Sequence, residues 1–185
     1  MQHFVSGIDL NKIPQDYKSI ILGAGCFWGV ERRFWEDPNI YLTSVGYSGG
    51  HIDNPTYKQV CYEDTGHVEV VKVIFDTQLI SLEEILKIFW ECHDPSQGDR
   101  QGNDRGTQYR SVIFCENEKD LNLANQSQKK YQEVLSEAGF GEITTEIKIF
   151  NTYFLAEDYH QQYLAKNPNG YCGLGGTGCN FPNKG

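Results

Sequence analysis

The sequence predicts an α+β fold: a single-domain, two-layer sandwich with helices packed on a mixed β-sheet, ferredoxin-like in its core and ending in a Gly-rich tail. Two observations predict it. Strand and helix patterns alternate along the chain, and the alternation is interrupted where two strands follow one another between about Tyr41 and Phe75. The length agrees, since 185 residues suit one domain that buries roughly 68–70% of its unfolded surface. No internal repeat marks a second unit, so residues 1–185 are expected to form one domain.

Residues 1–17 are polar and Pro-containing, an N-terminal arm expected to lie on the domain. Lys18–Gly23 reads as a short buried strand that ends in the turn glycines Gly23 and Gly25. Phe27, Val30 and Phe34 then recur at helical spacing. Tyr41–Tyr47 is a second strand, Ser48–Thr56 a loop, and His67–Phe75 a strand apolar on both faces. Ser81-Leu-Glu-Glu84 is a capping box opening a helix with Leu82, Ile85, Leu86 and Phe89 inward. His93–Gln108 is a long polar loop of the kind that carries function. Tyr109–Cys115 returns as a strand, and a helix over Asn117–Ala138 stops at Gly139. Thr144–Phe150 alternates as a half-exposed strand with Ile147 and Ile149 inward. A short helix over Glu157–Leu164 precedes the tail, residues 166–185, expected to be mobile.

Composition excludes several functions. Hydrophobic residues are 39% and charged residues 22%, a globular balance. The formal net charge of −9 argues against nucleic acid, whose phosphates call for a basic face. No signal-peptide pattern opens the chain, and no apolar run approaches the ~20 residues of a membrane span. The expected setting is therefore the cytoplasm, with reduced thiols. Six cysteines in such a setting read as reactive or buried rather than as disulfides.

Cys26 stands out in "GAGCFWG" (Gly23–Gly29). A cysteine at the first turn of a helix faces unpaired N–H groups and the positive end of the dipole. That setting lowers its pKa from about 8.5 toward neutral, and the flanking glycines leave room for a substrate. Phe27 belongs to the helix stripe; Trp28 falls off it, and either packs near Trp35 or walls a pocket beside the sulfur. In "HVEVVKVIF" alternation puts Glu69 on the face of Val71, Val73 and Phe75. Burial there raises a carboxyl pKa and makes a proton donor near neutral pH, although an arginine pairing would also explain it. Tyr57, Asp104 and Tyr109 lie in or beside polar loops, where hydroxyls donate to a polar oxygen and where tyrosines are also common without a role.

Cys172 and Cys179 form C-x6-C, the wrong spacing for a zinc site or a C-x-x-C motif. A pliable tail can still carry one thiol to another. No metal site is expected, since the histidines are scattered. Cys61, Cys92 and Cys115 read as buried small hydrophobes. Two other classes stay open: a cysteine hydrolase with His67 or His160 as base, and a metal- or partner-binding module using the tail cysteines.

The ordered motifs "GCFWG" (Gly25–Gly29), "GYSGG" (Gly46–Gly50), "NPTY" (Asn54–Tyr57), "TGHVEVV" (Thr65–Val71), "DRGTQYRS" (Asp104–Ser111) and "HQQYL" (His160–Leu164) resemble the A-type peptide methionine sulfoxide reductases. The resemblance runs from about Ile21 to Cys179. It implies reduction of methionine S-sulfoxide, in proteins and free, as repair of oxidative damage. It also implies Cys26 as nucleophile and Glu69 as acid, with Tyr57, Tyr109 and Asp104 holding the sulfoxide oxygen. Phe27 and Trp28 would seat the methyl group. Cys172 would resolve the Cys26 sulfenic acid as a disulfide, and Cys179 would pass that disulfide to thioredoxin, the external reductant. No bound cofactor and no membrane or nucleic-acid partner are implied, and a monomer is expected.

Overall fold

The computed structural model describes residues 1–150 and 152–182, so the last three positions of the predicted tail lie outside the described residues. The chain runs β1 (Lys18–Ala24), α1 (Phe27–Trp35), β2 (Ile40–Ser48), α2 (Tyr57–Tyr62), β3 (Val68–Phe75), α3 (Leu82–Cys92), β4 (Arg100–Gln101), β5 (Asp104–Arg105), β6 (Ser111–Cys115), α4 (Glu118–Glu137), β7 (Glu146–Ile149), β8 (Phe154–Leu155) and α5 (Tyr163–Lys166). The main sheet has the order β7-β6-β1-β3-β2-β8. It is mixed because β6 and β7 pair in parallel, with Val112 opposite Glu146, while its other pairs are antiparallel. With α2 and the β4–β5 hairpin set aside as excursions, the inner chain order is β-α-β-β-α-β.

The pleat explains the two cores. Ile20, Leu22, Val45, Tyr47, Val71, Val73, Phe75 and Ile113 face Phe27, Val30 and Phe34 of α1, Ile85 and Phe89 of α3, and Tyr131 of α4. Ile21, Val68, Val70, Val112 and Phe114 face the other way, against Phe150 and Tyr153. A strand covered on both sides reads as a continuous apolar run, which is why β3 shows so little alternation. Each fully buried Val, Leu, Ile or Phe contributes roughly 1.5–3 kcal/mol. Gly46 is required where the second layer closes, since a Cβ there would lie 2.6 Å from the Tyr153 ring.

Helix starts follow local chemistry. The Ser81 hydroxyl accepts the Glu84 N–H while the Glu84 carboxylate accepts the Ser81 N–H, the expected capping box. Asn117 accepts the Asp120 N–H at 3.0 Å to open α4, and Gly139 ends that helix at φ +82°. The arm residue His3 is buried and bonded to Thr43, which fastens the arm to β2.

Five expectations need correction. The polar loop before β3 contains α2, opened by a second capping box between Thr56 and Gln59. The His93–Gln108 loop contains the β4–β5 hairpin, in which the Gln101 side chain bonds both the N–H and the carbonyl of Asp94. The expected helix over Glu157–Leu164 is a 3-10 turn (Asp158–His160) followed by α5, with Gln162 between them in the left-handed region at φ 49°. Ile149 is 41% exposed rather than buried, because it is the last residue of β7, an edge strand of the sheet. Cys61 is half-buried rather than buried, since α2 lies on the surface of the sheet layer.

The Thr56 cap holds Tyr57 at the first position of a six-residue helix. Thr56→Ala should cost roughly 0.5–2 kcal/mol of stability. Urea unfolding checks it, and an unchanged midpoint would show that α2 is held by its packing alone.

Candidate active site

The corner between β1 and α1 is made by Gly25 at φ +95°. A Cβ there would lie 2.8 Å from the Gln101 side chain, so the β4–β5 hairpin packs directly over the glycine. Cys26 then occupies the N-cap of α1 without a side-chain capping hydrogen bond, and the backbone of Trp28 and Gly29 favours its thiolate. Glu69 stands near the start of β3, opposite Tyr47 of β2, on the helix-covered face. Its Oε2 accepts the Phe27 N–H at 3.1 Å. Thiol and carboxyl therefore meet at one helix start.

Electrostatics there differ from what a helix N-terminus alone would give. Burial pushes the Glu69 carboxyl up to about 8, against the downward pull of the Phe27 N–H, and the Asp104 charge adds to the rise. Burial also pushes the Cys26 thiol well above the usual cysteine range, with the Glu69 carboxylate adding to it. The Trp28 and Gly29 N–H groups oppose this without overcoming it. The expectation of a depressed Cys26 pKa is thus overturned: in the free site desolvation outweighs the helix start. Both groups hold their protons at neutral pH.

The aromatics form the wall. Phe27 is fully buried between Tyr47 and His160, at centroid distances of 5.9 and 5.1 Å. Trp28 is half-buried, stacked on Tyr163 at 3.9 Å and 14°. Its indole N–H donates to His160 Nδ1 at 3.0 Å. That bond places the histidine proton on Nε2, and burial lowers the His160 pKa to about 4, so the ring is neutral. His67 is committed elsewhere, accepting the Gly50 N–H and donating to the Ile52 carbonyl. Among the described residues neither ring is hydrogen-bonded to Cys26: His67 is bonded through both nitrogens, and His160 is bonded through Nδ1 while its Nε2 is buried without a partner. The pairing of thiol and histidine base that a hydrolase uses is therefore not formed.

Tyr57, Tyr109 and Asp104 arrive from three elements. Tyr57 is fixed by its own N–H, which donates to Glu157 Oε1 at 2.8 Å, and its ring lies 4.4 Å from His160. Tyr109 ends the 3-10 turn before β6, close enough to feel the charges of Glu69, Cys26 and Asp104. Burial pushes both phenols above the usual tyrosine range, so both remain donors. Asp104 stands in β5, where burial raises its carboxyl and the Tyr171 hydroxyl bonds Oδ2 at 3.2 Å. The phenols of Tyr57 and Tyr109 both lie near enough to Glu69 to feel its charge, so two hydroxyls and the neutral Glu69 carboxyl form a set able to grip and protonate an oxygen.

The tail cysteines are separated. Cys172 lies on α1, its sulfur 3.3 Å from Arg32 Nη2. Cys179 lies on the α4 side, its carbonyl accepting the Tyr131 hydroxyl. All six cysteines are free. Among the described residues no three His, Cys, Asp or Glu side chains gather as metal ligands. No helix among them is long and apolar enough to cross a membrane.

Three residues of the site carried no assigned role in the sequence: Tyr163, Glu157 and His160 as the partner of Trp28. The signal for two of them was the string "HQQYL". Its meaning depends on the break at Gln162, which lets His160 and Tyr163 both face Trp28.

The family model described as peptide methionine sulfoxide reductase matches residues 18–177. A human protein named mitochondrial peptide methionine sulfoxide reductase is 55% identical over 98% of this chain and 77% of its own length. Methionine sulfoxide reductase A of Corynebacterium diphtheriae superposes with a TM-score of 0.87 and 43% identity, covering 92% of this chain and 83% of the other. Mxr1 from Saccharomyces cerevisiae in its reduced form gives 0.79 and 36%, covering 87% and 92%. The chain belongs to the peptide methionine sulfoxide reductase family.

Proposed function

We propose that this member of the family reduces the S epimer of methionine sulfoxide, in proteins and free, through a sulfenic acid on Cys26. The observation that carries this is the neutral Glu69 carboxyl held against the helix start that bears Cys26. Methionine sulfoxide pairs a polar, chiral S=O with an apolar side chain. Phe27 and Trp28 seat the methyl group, while Glu69, Tyr57 and Tyr109 donate to the oxygen and Asp104 borders its site. The Cys26 sulfur attacks the sulfoxide, and the oxygen, protonated by Glu69, passes to that sulfur as S–OH. The thiol proton of Cys26 restores Glu69. Methionine leaves, reduced by two electrons.

The return path uses the tail. Cys172 condenses with the sulfenic acid to form a disulfide and water. Cys179 exchanges into that disulfide and presents it to thioredoxin. Support comes from Cys172 standing on the same helix as Cys26, and from the solved complex of Mxr1 with Trx2, a yeast protein of this fold. We take the working protein to be a monomer in the reducing cytoplasm with no bound cofactor, as the family resemblance implies.

Turnover of the separate epimers tests the substrate assignment. A wall that fixes methyl and oxygen together mis-seats the mirror sulfoxide, so only the S form should yield methionine. Equal rates on both epimers would overturn it.

Glu69→Gln keeps the shape and removes the proton. Methionine release in a single turnover should slow by ~10²–10⁴-fold. The wild-type rate should fall above about pH 8 as Glu69 ionises, and the variant should lack that limb. An unchanged rate would move the donor role to Tyr57 or Tyr109.

A further inference from the structure

The sulfur of Cys172 rests in a made place. Gly29 stands one turn into α1, and a Cβ on it would lie 2.9 Å from Cys172 Sγ and 3.1 Å from Leu174 Cβ. A side chain there would displace the Cys172 sulfur and crowd Leu174. One turn further on, Arg32 Nη2 donates to the same sulfur at 3.3 Å. The chain on either side is tethered: the Tyr171 hydroxyl bonds Asp104, and Leu174 packs against the core cluster. Gly29 lies in the first turn of the helix that Cys26 caps, so the Cys172 sulfur rests on the helix end that carries the other thiol.

We propose that Gly29 and Arg32 are positioning residues for the resolving step, forming a seat that holds the Cys172 sulfur beside Cys26. This rests on the assignment of Cys172 as the resolving thiol. In the step, the Cys172 sulfur attacks the sulfenic sulfur of Cys26. The S–S bond forms as the S–O bond breaks, and the hydroxyl leaves as water with the proton that Cys172 gives up. Each cysteine ends joined in the disulfide, and no further oxidant is consumed. Glycine removes the steric barrier, and the guanidinium fork fixes the sulfur laterally. Holding two reacting atoms in place is worth large factors in effective concentration, so a tail that is merely tethered should resolve far more slowly.

The same contacts make the order of events explicit. Tyr171 occupies Asp104 while Cys172 is seated. Asp104 is among the groups proposed to border the sulfoxide oxygen. The tail is already seated while all six thiols are free, so the Tyr171–Asp104 bond must open while the sulfoxide oxygen occupies its site.

The test is a single turnover of the full chain with the S-sulfoxide of N-acetylmethionine and no external reductant. Methionine release, loss of free thiols and dimedone capture at Cys26 are followed together in wild type, Arg32→Ala, Arg32→Lys, Gly29→Ala and Cys172→Ser. The readout is the ratio of disulfide formation to methionine release. It should fall by about tenfold or more in Arg32→Ala and in Gly29→Ala, as expected when positioning is lost, with dimedone adducts rising. Arg32→Lys should restore part of it, since a cation remains without the fork. Wild-type ratios in both Arg32→Ala and Gly29→Ala, with Cys172→Ser stalled as sulfenic acid, would overturn the seat alone. A Cys26 disulfide formed at the normal rate in Cys172→Ser would instead overturn the relay on which the seat rests.

Discussion

A carboxyl group buried on an apolar sheet face is the constraint around which this site is arranged. Glu69 is 1% exposed, with one hydrogen bond to it from the backbone of the helix that carries Cys26. Burying an ionised carboxylate with so little compensation is costly, so the group holds its proton instead. That one fact links the strand, the helix start and the chemistry. It also loads folding with a pH dependence. A glutamate near 4.5 when unfolded and about 8 when folded stabilises the fold fully below about 4.5, and this contribution is lost as pH rises through 8. The site trades stability at alkaline pH for a proton donor at neutral pH.

The aromatic wall depends on a second buried carboxyl. Glu31 of α1 accepts the backbone N–H of Gln162 at 2.8 Å, its side-chain amide at 2.7 Å, and the Thr43 hydroxyl at 3.0 Å. These bonds hold Gln162 in a left-handed conformation that costs a residue other than glycine of order 1–3 kcal/mol. The break in the chain there turns His160 and Tyr163 toward Trp28. Both carboxyls are thus tied to α1, one at its first residue and one a turn later. The helix is the beam on which Cys26, the aromatic wall and the Cys172 contact are all mounted.

What the sequence showed depended on whether the cause was local. The β1–α1 corner was legible because glycines and a helix stripe mark it directly. Glu69 was legible because a charge in a valine run violates alternation. The Ser81 box was read, while the equivalent Thr56–Gln59 box was passed over inside a string of turn residues, although the signal was present. Gln162 was not legible, because its conformation is set by a glutamate 131 residues away. The protonation of Cys26 was misread for the same reason: the helix start is local, but the burial that outweighs it comes from the tertiary fold, and the charges of Glu69 and Asp104 from distant strands add to it. Ile149 kept its alternation and lost its cover, since alternation does not say which strand lies at the edge of a sheet.

The most direct measurement is the protonation state of Glu69 in the resting protein. Infrared difference spectra across pH 5–10, with Glu69→Gln to assign the band, report a protonated carboxyl C=O separately from ionised carboxylates. A buried band present at pH 7 that titrates with a midpoint near 8 is the expected result. A Glu69 already ionised at pH 6, with no such band in wild type, would contradict the account of this site.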